Sequence, residues 1–441
     1  MTAPDRLTYR QAVAALTERG RFGISMGLDR VERLLAEVGH PERGLRGALV
    51  GGTNGKGSVV AMVGAVLVAA GLRVGTMPKP HLVSYRERIA VDGAPIPADD
   101  FAAAVARVLP AIDRVGVDVG PPTEFEALTA AAISELARRE VDLAIVEVGM
   151  GGRLDATNVL DLGVAAITNV QHDHERHLGR TLTAIGGEKA PIIKRGDLAV
   201  TGASGRGLRP ILQRCADLDV PLRRAGPRQP YRVAVRDAGW DGLLVDARTP
   251  AGTMRGVRVG LLGRHQAANA AVALATLDAV AERRGVELPE EAVRHGLAAV
   301  RWPGRLELLD GAPVGLRRVL LDGAHNPAGA AALAAALDEL GLREPTIVFG
   351  AMRSKRLAAV LRALAPLRPR FIFTRVADAG AHEPATLARA WRRLSGRRAA
   401  TAPSPRAALE ASQADLTVVA GSLYLVGAVR GMITGTIEEG G

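Results

Sequence analysis

One cysteine, Cys215, in 441 residues excludes an internal disulfide framework and points to a reducing compartment. Aromatic side chains are also scarce, at 3% of the chain, and lysine and arginine never cluster beyond a few in a row. Single-strand binders need stacking rings, and duplex binders need a basic stripe. The net charge of +11 is therefore expected to meet a small polyanion such as ATP or a polyglutamate, with no nucleic-acid partner. Long apolar runs are missing too: the stretch 59–70, interrupted by Gly64, falls well short of the ~20 residues that cross a bilayer. The opening MTAPDRLTYR has no apolar core of the kind a secretory leader carries. A soluble cytoplasmic protein without a membrane partner is expected, acting as a monomer. At this length one ordinary core is not enough, so two or three domains are expected.

Lysine is scarce in a more telling way, because five lysines stand against 52 arginines. A chain that uses arginine wherever either cation serves keeps lysine where arginine cannot replace it, in a phosphate loop or at an amine that is chemically modified. The five are Lys56, Lys79, Lys189, Lys194 and Lys355.

The first of these sits in the stretch the rest of the chain is organised around. Residues 48–64, ALVGGTNGKGSVVAMVG, read as a buried strand, a glycine-rich turn and a small-residue helix. Gly51, Gly52, Gly55 and Gly57 let the backbone fold close to an anion, the amides opening the next helix face it, and Lys56 adds a mobile positive charge. A strict G-x-x-x-x-G-K-[ST] pattern does not fit, because its first glycine would fall on Val50 and the hydroxyl is on Ser58, two residues after the lysine.

Elsewhere the residues predict elements and some chemistry. Gly27 and Asp29 read as a helix entry, with Val31, Leu34 and Leu35 at helical spacing behind them. Pro78 and Pro80 predict an irregular loop beside the phosphate site. Residues 98–140 read as two helices, and Thr123 with Glu126 spells a capping box at the start of the second. VDLAIVEVG, from 141, is the continuous apolar run of a buried parallel strand, and Glu147 is the charge at its carboxyl end, a position suited to Mg²⁺. His172, His174 and His177 invite a zinc reading, which the lack of a nearby cysteine disfavours. Residues 197–260 predict a small antiparallel patch, and strands alternate with helices from 345 onward. The expected class is α/β: a phosphate-loop domain over 1–298 with a parallel sheet, and a smaller Rossmann-like α/β domain over 303–441, with ATP and substrate in the cleft between them.

GTNGKGS resembles the loop of the Mur ligase superfamily, ATP-dependent enzymes that form amide bonds through an acyl phosphate, and within it the folylpolyglutamate and dihydrofolate synthases. The resemblance runs from about Gly20 to Arg430 with its motifs in order. It implies that Thr53, Asn54, Gly55, Lys56, Gly57 and Ser58 bind ATP, together with Asn269 in GRHQAANA, Arg305 in RWPGR and Asp322 in DGAHNP. His325 of that last segment is implied near the reacting groups, so that Lys56, His325 and Lys189 carry the chemistry. For the substrate it implies Gly27, Leu28 and Asp29, the segment Thr123, Glu124, Phe125 and Glu126 against the pterin ring, and Leu154, Asp155 and Ala156 in EVGMGGRLDATN. It further implies two Mg²⁺ sites, held by Ser58, Glu147, His174 and by Lys189 as a carbamate formed with CO₂, and allows a monovalent cation. Carbamylation turns an amine into an anionic oxygen ligand, which an arginine cannot become. The chain departs from the family at Lys79, where a metal-ligating serine is expected; an ammonium cannot ligate a cation. AMRSKR, from 351, replaces a more acidic family loop.

The implied activity is ATP-dependent ligation of L-glutamate to a folate or dihydropteroate. Another amide ligase of the same superfamily would share the loop and the carbamate but not the HL…ERI and GGRLDATN segments. A phosphate-loop kinase would share only the loop, and a non-catalytic nucleotide-binding protein would accommodate Lys79 best.

Overall fold

Short apolar runs lay down the main sheet of the computed structural model, which describes residues 7–22 and 27–436. Its strands are β1 (Gly47–Gly51), β2 (Val74–Met77), β3 (Ala90–Val91), β4 (Ala94–Pro95), β5 (Leu143–Glu147), β6 (Val164–Ile167), β7 (Leu198–Thr201) and β8 (Leu222–Arg224), in the order β4-β3-β2-β5-β1-β6-β7-β8. All neighbours from β2 to β8 are parallel, and β3 and β4 form an antiparallel edge. Strand side chains alternate between faces, so one strand feeds two cores. Leu49 joins the cluster formed with α1 (Tyr9–Thr17), α2 (Asp29–Glu37), a third helix α3 that begins the phosphate site (Lys56–Ala69) being on the opposite side with Ala48 and Val50. The helices α4 (Ala98–Val119) and α5 (Glu124–Arg138) complete the Leu49 side.

The apolar residues of α3 point in every direction, and it is correspondingly buried, between the sheet and the helices His265–Arg284 and Glu290–Ala299. Gly296 permits this closeness: a Cβ there would lie 2.4 Å from the backbone of Val66. The antiparallel patch expected from the sequence is present as β9 (Arg232–Gly239), β10 (Gly242–Thr249) and β11 (Gly252–Val259).

From residue 307 a second sheet begins, with strands β12 (Glu307–Asp310), β13 (Arg318–Leu321), β14 (Thr346–Phe349), β15 (Arg370–Thr374), β16 (Ala400–Ala402) and β17 (Leu416–Ala420) in the order β12-β13-β17-β14-β15-β16. It is parallel apart from β12 and encloses its own clusters, one centred on Phe349, Phe371, Phe373 and Trp391. The start of the chain and the GISM portion of the break before α2 lie outside the described residues. No helix among the described residues is long and apolar enough to cross a membrane.

Because α3 carries the phosphate loop, its seat against Gly296 matters for the site. Gly296→Ala should destabilise the protein by about 1–3 kcal/mol, the usual cost of overpacking. A thermal melt that matches the parent would show that the two helices separate without cost.

Candidate active site

The loop after β1 owes its shape to residues that only glycine can supply. Gly52 (φ +138°) and Gly55 (φ +81°) turn the chain, and a Cβ at either would collide, with Thr168 Oγ1 at 1.9 Å or with Asn269 Oδ1 at 2.2 Å. The polar residues after β6 fix the loop. Thr168 Oγ1 and Asn169 Nδ2 both donate to the Asn54 carbonyl at 2.7 and 2.8 Å, and Asn54 donates its amide to Asn169 Oδ1 at 3.1 Å and its Nδ2 to Gln171 Oε1 at 2.6 Å. Gly55 offers no capping side chain to α3, so the amides of its first turn present their positive field to the cavity.

Three lysines gather around this loop, the side chains of Lys79 and Lys189 almost wholly buried and that of Lys56 partly so. Lys56 Nζ donates to the Thr53 carbonyl at 3.3 Å and lies 3.9 Å from Glu147 Oε1. Glu147 ends β5 as expected and is 4% exposed; burial pushes its carboxyl up, against the pull of Lys56. Lys189, 2% exposed, has a single hydrogen bond, from Nζ to the Gly52 carbonyl at 2.9 Å. Burial, reinforced by Lys56, pushes its amine down to about 7. Lys79 donates its backbone N–H to Glu147 Oε2 at 3.0 Å, while its Nζ stands 3.6 Å over the Phe125 ring and 3.8 Å from Asp155 Oδ1. Burial lowers it to about 8, although Asp155 opposes the shift.

The opposite wall comes from the second sheet. Asp322, after β13, is buried and accepts from the amides of Leu306 and Ala324 at 3.0 and 2.9 Å. Arg305 lies against Gly323, where a Cβ would meet its Nη1 at 2.2 Å. Asn326 Nδ2 reaches across to Asn54 Oδ1 at 2.9 Å and to Asp173 Oδ2 at 3.0 Å. Lys355 Nζ bonds Asp173 Oδ1 at 2.9 Å, and His325 Nε2 lies 3.6 Å from its Oδ2. These donors hold the Asp173 carboxyl well below the usual carboxylate range, overcoming its burial. His174 is pushed down to about 4 by burial and by Lys355, so its ring is a neutral imidazole at physiological pH.

The phosphate loop, the four lysines, Glu147, Asp155, Asp173, His174, Arg305, Asp322, His325 and Asn326 line one cavity of about 920 Å³. The sequence-derived residues that reach it are Gly27, Thr53, Asn54, Gly55, Lys56, Gly57, Ser58, Thr123, Glu124, Phe125, Glu126, Glu147, Leu154, Asp155, Ala156, His174, Lys189, Asn269, Arg305, Asp322 and His325. Thr123 and Glu126 do so while forming the capping box of α5, so the local and the functional readings of that segment coexist. Leu28 and Asp29 are not brought to the wall: Leu28 packs against the core next to α2, and Asp29 is exposed in that helix's first turn. Sequence reasoning passed over Asp173, Asn326 and Tyr424, which also line the cavity. It left Lys355 without a role because the surrounding loop departs from the family; the lysine scarcity was the signal, since Lys56, Lys79, Lys189 and Lys355 all line this cavity.

No group of three or more His, Cys, Asp or Glu side chains is arranged to hold a metal among the described residues. Mg²⁺ commonly takes only one or two protein carboxylates and completes its shell with phosphate oxygens and water. Buried Glu147 and the buried Ser58 hydroxyl beside the phosphate loop fit that pattern, and His174 as a neutral imidazole would add a nitrogen donor outside it.

A glycine loop at the carboxyl end of β1, faced by an acid on β5 and closed by a second α/β unit, is built to hold the phosphates of a nucleotide. Residues 115–277 match the Mur ligase middle domain, and 304–423 match the Mur ligase glutamate ligase domain. A Bacillus subtilis protein named dihydrofolate synthase/folylpolyglutamate synthase is 35% identical, over 81% of this chain and 82% of its own. A Haloferax volcanii protein named probable bifunctional folylpolyglutamate synthase/dihydropteroate synthase is 36% identical over 96% of this chain, which spans half the length of that relative. The solved Mycobacterium tuberculosis folylpolyglutamate synthase complexed with ADP superposes with a TM-score of 0.86 at 33% identity, covering 96% of this chain and 99% of that one. The chain belongs to the folylpolyglutamate and dihydrofolate synthase family.

The loop geometry makes a direct prediction. Gly55→Ala, which drives a Cβ into Asn269 and disfavours the required φ, should weaken ADP binding at least about tenfold with helix content unchanged. Isothermal titration and circular dichroism check this; parental affinity would mean that the loop binds no phosphate.

Proposed function

We propose that this chain joins L-glutamate to the carboxylate of a folate or dihydropteroate, using ATP and passing through an acyl phosphate. The observation that carries the reading is the convergence of Lys56, Glu147 and Lys189 on one side of a cavity whose other side is Arg305, Asp322 and His325. In this reading residues 1–298 form the ATP- and folate-binding domain, residues 303–441 form the ligase domain, and the enzyme is a cytoplasmic monomer acting on small molecules. The names of the relatives support this choice of substrates.

The phosphates of ATP lie on the amides of Thr53 to Ser58, with Asn269, Arg305 and Asp322 holding the nucleotide between the two sheets. Lys56 leaves the Thr53 carbonyl to follow the charge that builds on the transferring phosphoryl group. Ser58, Glu147, His174 and Lys189 as its carbamate would hold Mg²⁺ at two sites, where it would neutralise phosphate oxygens, and a monovalent cation would be accommodated beside them. A carbamate forms only on a neutral amine, and the buried setting that lowers Lys189 to about 7 favours that form. The pteroyl ring rests near Gly27, Thr123–Glu126 and Leu154–Ala156, Leu28 and Asp29 acting only through the packing of α2. The glutamate amine then attacks the acyl phosphate beside His325, the amide C–N bond forming as the bond to phosphate breaks; phosphate leaves and the amine's proton goes to solvent.

Phosphate release is the test. With dihydropteroate or tetrahydrofolate, glutamate and ATP, the protein should release phosphate, and a cell-wall precursor should not replace the folate. Turnover with the cell-wall precursor alone would favour another Mur-type ligase, and none with any acceptor would favour a nucleotide-binding protein. Lys56→Ala should lower turnover at least about 100-fold with the fold retained; parental turnover would remove Lys56 from the mechanism. Glu147→Ala should abolish Mg²⁺-dependent ATP turnover, and His174→Ala should raise the Mg²⁺ requirement. Unchanged magnesium titrations in both would make these residues structural. Lys189→Arg, which cannot be carbamylated, should lose activity, and Lys189→Ala should regain part of it with added small carboxylic acids. An arginine variant as active as the parent would exclude the carbamate.

A further inference from the structure

Arg88 lines the cavity yet enters no ion pair among the described residues, and its one hydrogen bond there runs from Nε to His81 Nδ1 at 2.9 Å. A guanidinium carries its donors in a rigid plane, so a bond at Nε settles where the two terminal nitrogens point. The protein gives those nitrogens no acceptor. The acid next to Arg88 in the chain, Glu87, is not free to supply one, because its oxygens take the amides of Leu82, Val83 and Ser84 at 2.7, 3.1 and 3.1 Å.

His81 is itself held in place. Its ring packs on that of Tyr85 with centroids 4.2 Å apart, and the Tyr85 hydroxyl donates to Glu124 Oε1 at 2.7 Å. Ser84 and Glu87 close a capping box on the short turn that ends in Arg88, and the Tyr9 hydroxyl ties that turn to α1 through Ser84 Oγ at 2.9 Å and the Tyr85 amide at 3.1 Å. Arg88 Nε only donates, so the His81 ring accepts at Nδ1; burial and the neighbouring guanidinium push the imidazole down to about 3, which keeps it neutral and an acceptor. A planar fork with open donors matches the paired oxygens of a carboxylate or a phosphoryl group. Both kinds of group enter the cavity if it joins glutamate to a folate, and the inference rests on that reading. We propose that Arg88 takes a substrate oxyanion on its terminal nitrogens and that His81 is the positioning residue that aims it.

Two substitutions separate positioning from packing. His81→Phe keeps a ring on Tyr85 and removes the acceptor, whereas His81→Asn gives up the ring and keeps an oxygen near the place of Nδ1. Phosphate release is measured in the Mg²⁺-loaded enzyme while ATP, glutamate and the acceptor, dihydropteroate or tetrahydrofolate, are varied in turn. His81→Phe should lower kcat/KM for at least one substrate about 10-fold or more, and His81→Asn less than about threefold. A loss seen on glutamate or the acceptor assigns the fork to a carboxylate, and one seen on ATP assigns it to the phosphoryl group. Combined with Arg88→Lys, which keeps the charge but has no Nε, His81→Phe should add less than about a further twofold. His81→Leu replaces His81→Phe if the latter melts early. Parental kinetics in His81→Phe, a larger loss in His81→Asn than in His81→Phe, or the same loss with and without Arg88→Lys would overturn the assignment. A parent that releases no phosphate with either acceptor would instead overturn the folate reading, and this inference with it.

Discussion

Holding charged side chains of both signs close together in one cavity between two sheets is the constraint on which the rest of this structure depends. Lys56, Lys79 and Lys189 place their amines in one cavity, and the nearest carboxylate oxygens to the first two stand 3.9 and 3.8 Å away. Ammonium groups out of water are expensive unless anions approach them, and the protein holds back the anions it has. Glu147 is engaged by the Lys79 amide, and Asp155 by its own turn. The cavity therefore keeps its cations and carboxylates close but apart, because the carboxylates are committed to backbone and hydroxyl donors. The rigid parallel sheet keeps it so: β5 and β1 are paired directly, which sets Glu147 opposite Val50 at the mouth of the glycine loop.

The second α/β unit adds to this site and is tied to the first at the same place. Asp173 lies at the seam, bonded to Lys355 and Asn326 from across it, while Asn326 also holds Asn54 of the phosphate loop. The loop carrying Lys79 makes a second tie, because Gly427 lets the Leu82 carbonyl approach to where a Cβ would sit at 1.9 Å. The phosphate loop and the contact between the units thus share Asn54, so a change at the cleft floor is felt by both units.

Much of the site was legible because its parts are local. A glycine loop ahead of Lys56, an acid at the end of an apolar run and a threonine three residues before Glu126 each express a short-range rule of backbone geometry or capping. The lysine bias extended this reach, since four of the five lysines line the cavity, and only Lys194 is used elsewhere, on Asn158. Its failure at Lys355 is instructive. The neighbouring AMRSKR looked too basic for the cleft, yet the lysine there answers Asp173, whose pairing lies 182 residues away in sequence. Asp29 failed in the other direction: an acid at a helix entry satisfied the local pattern and was turned to solvent by the packing of Val31, Leu34 and Leu35.

By itself the sequence determined the strand, loop and helix of the phosphate site, the acid closing β5 and the order of the two α/β units, because hydrophobic period, glycine placement and strand ends act within a few residues. The tertiary structure alone decided which distant side chains complete one another. It aimed the Lys79 ammonium at Phe125 with no hydrogen-bond acceptor among the described residues, gathered Asp173, Asn326 and Lys355 at the seam, and set Lys189 on the Gly52 carbonyl. Those outcomes depend on desolvation and on distances between chain segments far apart in sequence, and neither exists until the two sheets have packed.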